Sequence, residues 1–168
     1  MAGDRAVTDL EGSFGVIEIA SRFDWKWSIE DVERFCRAAG WTVDHIRRRG
    51  ALLETGLSAG DGLAHVSLDD QINTISFSAS DEVDAADQRM VADLLGSFDA
   101  ITRLVSEDLG EPSKREFGTD PRVRWDLQQL VIFVSMHSGR IWIRFVNPEF
   151  QKQQEIWDRD VAGTAEEY

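Results

Sequence analysis

Met90, Val91, Leu94, Leu95, Phe98, Ile101, Leu104 and Val105 recur at the i, i+3, i+4 spacing that places apolar side chains on one stripe of a helix. No other segment constrains the fold as strongly. The pattern predicts an amphipathic helix over 84–109, stopped by Gly110 and Pro112. Each large side chain on the stripe gains about 1.5–3 kcal/mol from burial, so the helix must lie on something, and the surrounding segments supply a sheet.

Trp41 to Arg48, Ala51 to Leu57, Leu63 to Leu68 and Ile72 to Ala79 are short and β-rich, and they are separated by Gly50, Gly60-Asp61-Gly62 and Asp69-Asp70. This reads as an antiparallel meander. Ile75, Phe77 and Ala79 are expected to face the core, with Thr74, Ser76 and Ser78 toward water. Beyond the polar connection Glu111 to Pro121, the segments Val123 to Met136 and Arg140 to Val146 form a hairpin turning at Ser138-Gly139. Within it, the continuously apolar run Leu130 to Val134 suits a strand covered on both faces.

Two shorter helices bracket this arrangement. Ile29, Val32, Phe35, Cys36 and Ala39 have helical spacing, with Ser28 as N-cap and Gly40 as the left-handed stop. Asn147-Pro148 opens a short last helix carrying Phe150, Gln154 and Trp157. Phe14, Val16, Ile17 and Ile19 are read as a short apolar strand or packing segment. The expected fold class is α+β: a mainly antiparallel sheet packed by one long helix, with short N- and C-terminal helices. It forms a single domain over 1–168, with 1–13 and 159–168 as loose termini.

The formal net charge is −13, and it is concentrated. From Glu54 to Asp108, twelve acidic residues face only Arg89 and Arg103, a net −10. Such a field repels nucleic-acid phosphates and anionic membranes and accelerates encounter with a basic protein. Asp61, Asp69, Asp70, Asp81 and Glu82 are the candidate partner-binding acids. Trp25 and Trp27 flank Lys26 in alternation, an arrangement that leaves one indole exposed as an interface anchor. The run Arg47-Arg48-Arg49 is too short for a nucleic-acid footprint and reads as a solvated strand end.

Catalytic and cofactor signatures fare poorly. Gly56-Leu57-Ser58-Ala59-Gly60 matches G-x-S-x-G, but the nucleophile elbow needs a helix after the serine, whereas a strand-like segment follows. A hairpin loop accounts for the same residues. His45, His65 and His137 show no zinc-ligand spacing, and Cys36 occupies an apolar helix position typical of a buried thiol. Nucleotide-binding glycine loops are absent. The expectation is a non-enzymatic chain with no cofactor and no metal site. With no apolar run near the length of a membrane span and no signal-peptide pattern at its start, the chain is expected to be cytoplasmic.

Asp24-Trp25-Lys26-Trp27-Ser28-Ile29-Glu30-Asp31, continuing to Phe35 and Gly40-Trp41, resembles the opening of small actinobacterial proteins of the domain-of-unknown-function type. A second similar stretch runs from Gly110-Glu111-Pro112 through Gly118 to Pro121-Arg122-Val123-Arg124-Trp125. Small acidic α+β proteins of this kind accompany secreted toxins as immunity partners. The resemblance therefore implies binding to a basic toxin or effector domain and carries over no catalytic residue. The alternatives are a secretion-type chaperone, by analogy of element order alone, and, on the G-x-S-x-G match, a small hydrolase.

Overall fold

The computed structural model describes residues 7–166, with side-chain surroundings described to residue 163. The element order is α1 (Leu10–Arg22), α2 (Glu30–Ala39), β1 (Thr42–Arg47), β2 (Gly50–Glu54), β3 (Leu63–Leu68), β4 (Ile72–Ser78), α3 (Gln88–Leu109), β5 (Lys114–Glu116), β6 (Arg122–Asp126), β7 (Val131–His137), β8 (Arg140–Val146) and α4 (Pro148–Glu166). All eight strands form one antiparallel sheet in the order β1-β2-β3-β4-β8-β7-β6-β5. It consists of two four-stranded meanders joined at the centre, where β4 pairs with β8.

The inner face carries the core. Leu53, Val66, Ile75, Phe77, Ile143, Phe145, Ile132, Val134 and Trp125 are buried there against Leu94, Phe98, Ile101 and Val105 of α3 and Phe35 of α2. The long helix shares this work rather than doing it alone. α3 lies on β7 and β8, α1 packs on α3, and α2 lies by β1. Leu95, expected on the buried stripe, is exposed.

The N-terminal region departs from expectation. Phe14, Val16, Ile17 and Ile19 belong to α1, in which Ser13, Val16, Ile17 and Ala20 are buried at helical spacing. Asp9 caps that helix by accepting from the Gly12 N–H at 2.8 Å. Thr8 bridges Ser80, so the residues from 7 onward are fixed against the end of β4. The rest of the expected loose arm, 1–6, lies outside the described residues, as do 167–168. α4 runs to Glu166 and is neither short nor ended at Asp158.

Other differences are local. Val123 to Met136 is two strands, β6 and β7, broken where the Leu127 N–H donates to the Leu130 carbonyl at 2.8 Å. The polar connection contains β5. Thr74 and Ser78 are buried; the Ser78 hydroxyl donates to the Ser80 carbonyl at 2.6 Å, so it needs no water. α2 starts at Glu30, and Ser28 supplies its carbonyl to the Asp31 N–H at 2.9 Å rather than acting as the side-chain cap. Cys36 is buried, and burial, followed by the neighbouring Glu33 charge, pushes its thiol up to about 11. The β7–β8 turn uses positive φ at both Ser138 and Gly139, the geometry that suits a two-residue hairpin. Gly139 is also required by space: a Cβ there would lie 2.3 Å from the Val83 carbonyl oxygen. Among the described residues no helix is long and apolar enough to cross a membrane.

Candidate functional site: the outer face of the sheet and the root of the last helix

The five acidic candidates do not gather into one patch. Asp69 and Asp70 lie in the β3–β4 turn, whereas Asp61, Asp81 and Glu82 lie at the opposite end of these strands. A six-residue strand separates the two groups by about 20 Å. Three of the acids also serve the fold. Asp61 accepts from the Leu63 N–H at 3.0 Å, Asp81 accepts from the Gly60 N–H at 2.8 Å, and Glu82 pairs with Arg140 at 3.5 Å.

Neither Trp25 nor Trp27 is exposed. The two indoles stack at 4.3 Å within the core, and their Nε1 groups donate to the Ala20 and Gln129 carbonyls, each at 2.9 Å. Strand-like alternation about Lys26 fails because the loop is folded around Asp31. This buried carboxylate accepts from the backbone N–H groups of Lys26 at 2.8 Å and Trp27 at 2.7 Å, and Trp27 takes φ +60°. The large exposed indole is Trp157 of α4.

Ser58 sits in the β2–β3 loop with β3 following it, as the hairpin reading requires. Its N–H donates to Asp9 Oδ2 at 2.8 Å. Burial raises the Asp9 pKa, but the hydrogen bonds from Ser58 and Gly12 outweigh it and hold this carboxyl below its ordinary value. His45 pairs with Asp44, His65 lies exposed on β3, and His137 stacks on Trp142. Among the described residues no three His, Cys, Asp or Glu side chains converge as metal ligands.

The sheet's outer face carries the most organised surface. Pairing across β4, β8, β7 and β6 aligns Ser76, Arg144, Phe133 and Arg124 in one row, and Ser78, Trp142, Ser135 and Arg122 in the next. These rows floor a cleft of about 610 Å³, whose lining includes Ser76, Arg122, Phe133, Ser135, Trp142 and Arg144. The guanidinium groups of Arg122 and Arg124 lie over the Phe133 ring, at 5.0 and 5.6 Å from its centroid.

α4 closes one side of this face. Phe150 packs on Val131, Phe133 and Val146, which explains why β7 is apolar on both sides. Arg124 joins the helix to the sheet through a short ion pair with Glu155, and it pairs with Asp126 at 2.8 Å. The hydrogen bond from Arg124 is the main reason that the Glu155 carboxyl is held below its ordinary value. Its contribution to stability is therefore complete above the ordinary carboxylate range and is lost as pH falls through the lowered value. Carboxyl-carbon NMR should show Glu155 titrating below 4.5, with loosening of α4 on the same curve. A midpoint at or above that value would mean that the pair does not hold the helix.

Residues 13–147 match the profile of a family of unknown function (DUF6301). The chain belongs to this family. The span shared with the family contains all eight strands and every residue lining the cleft, and it ends at Asn147, immediately before α4. No curated protein and no solved structure matches the chain.

Sequence reasoning missed the cleft. Its trace was the pair of alternations Arg122-Val123-Arg124-Trp125 and Arg140-Ile141-Trp142-Ile143-Arg144, in which every second residue is a core residue and the intervening ones put arginine on the opposite face.

Proposed function

We propose that the chain is a non-enzymatic protein-binding module of the immunity or antitoxin type, which holds a basic toxin or effector domain in the cytoplasm. The observation that carries this reading is the far half of α4. Residues 156–163 are exposed, and Ile156 and Trp157 stand 53% and 66% exposed between Glu155 and Asp158. A large indole with an aliphatic neighbour and an acidic rim has the composition of an interface anchor for a cationic, apolar-grooved partner. The net charge of −13 adds long-range attraction for such a partner.

The test is capture of a partner from native lysate at low and high salt, followed by affinity measurement with the purified partner. Trp157→Ala should weaken binding by about 30-fold, the effect of losing about 2 kcal/mol at an anchor. Reversal of the exposed Asp69 and Asp70 to Lys should chiefly slow association and reduce its salt dependence. Affinity unchanged by Trp157→Ala would sink the reading, and a partner bound equally well at high salt would remove its electrostatic part.

A further inference from the structure

Arg144 lies half-buried on the central strand β8, in the floor of the outer-face cleft. Every other arginine of β6 and β8 has an acid: Arg122 pairs with Glu116 at 3.0 Å, Arg124 with Asp126 and Glu155, and Arg140 with Glu82. No carboxylate of the described residues comes within 4.0 Å of Arg144. Burial, followed by the neighbouring Arg122 charge, pulls its pKa below the ordinary value. A guanidinium that has lost water and gained a like charge without a counter-ion is destabilising unless something else compensates it.

The surroundings indicate what that compensation is. Ser76 and Ser135 put hydroxyl side chains in the same lining, and Ser76 lies directly across from Arg144 in the strand register. Trp142 supplies flat apolar surface, and the buried Phe133 ring lies under the Arg122 and Arg124 guanidiniums beside it. Beneath that surface the Trp142 Nε1 is buried and meets no protein acceptor. The acids of the lining set a limit. Glu116 is occupied by Arg122 and Lys114, and Asp120 lies exposed, so a polyanion is disfavoured and a compact anionic group is not.

We propose that the cleft binds a small ligand with one oxyanion, a carboxylate or a phosphate monoester, carried on a flat aromatic body. The planar fork of Arg144 receives the oxyanion in the manner that suits guanidinium, Ser76 and Ser135 add hydroxyl donors, and the ring lies against the Trp142 indole beside the stacked His137. The inference is independent of the partner-binding reading, since none of these residues belongs to α4. It rests on the part of the chain that matches the family.

The experiment follows the Trp142 indole N–H by NMR in the full chain, assigned with Trp142→Phe, during titration with phenyl phosphate, benzoate and inorganic phosphate. A saturable shift is expected with phenyl phosphate or benzoate, and the tighter of the two identifies the oxyanion. Arg144→Gln should weaken binding at least tenfold while raising the thermal midpoint of the free protein, because an uncompensated cation has been removed. Ser76→Asp places a carboxylate opposite Arg144; it should also weaken binding at least tenfold and raise the midpoint, which keeps the test open if Arg144→Gln does not fold. The proposal is overturned by the absence of a saturable shift with every probe, by unchanged binding in Arg144→Gln or Ser76→Asp, or by a lowered midpoint in folded Arg144→Gln. Inorganic phosphate binding as tightly as phenyl phosphate would overturn the aromatic body.

Discussion

Leu94→Asp should remove a third or more of the chain's folding stability and shift its urea midpoint sharply downward. Leu94 is 1% exposed on α3, in line with Phe98, Ile101 and Val105, and these side chains cover the inner face of the sheet. The substitution forfeits about 1.5–3 kcal/mol of apolar burial. It also forces a carboxyl into surroundings without a partner, at a cost that brings the total to about 5 kcal/mol or more. Since domains of this size are stable by about 5–15 kcal/mol, the loss takes between a third and all of that stability. Far-ultraviolet circular dichroism and a urea titration check this, with Asp99→Asn on the exposed side of the same helix as control. A cooperative transition for Leu94→Asp near the parental midpoint would show that α3 is not seated as described.

Asp31→Ala should cost about 3–5 kcal/mol, more than a surface ion pair could explain. Arg34, which forms an ion pair with Asp31, is partly solvated and contributes little, because its side chain is 39% exposed and water can replace its partner. The expense lies in the buried Trp27 N–H and the part-buried Lys26 N–H, which lose their only acceptor, and in Trp27, a bulky residue held at positive φ by that acceptor. Freed of the carboxylate, the loop should relax toward extended backbone and separate the stacked indoles. Near-ultraviolet dichroism should lose the signal of the indole pair, and chemical denaturation should shift accordingly. Asp31→Asn keeps one acceptor and should fall between the two. A loss below about 1 kcal/mol for Asp31→Ala would mean that the tryptophan loop is held by other contacts.

Elements defined by a local period were readable from sequence. The α3 stripe, the bounds of β3 and the Ser138-Gly139 turn follow from spacing and turn chemistry within a few residues. α1 was misread because its β-branched Val16, Ile17 and Ile19 crowd together as in a strand. The deciding signal was Asp9, whose side chain caps the helix three residues on. The β6–β7 break carries no glycine or proline to announce it.

The candidate sites failed for a different reason. Nearness in sequence gathered the acids into a patch that strand geometry separates, and alternation exposed a tryptophan that the Asp31 carboxylate turns inward. The cleft requires the opposite inference: Ser76 and Arg144 become neighbours only once β4 and β8 pair, and no local pattern encodes that pairing.

The same central pairing sets an order on folding. Ser80 and Ile141, which join the ends of these strands, are 61 residues apart. During synthesis, the first meander therefore emerges complete except along β4, whose Ile75 and Phe77 face an unfinished core and whose backbone groups await β8. That open edge persists until the last strand is made. The step that joins the two halves of the sheet is thus also the step that removes an invitation to pair with another copy of the chain along β4.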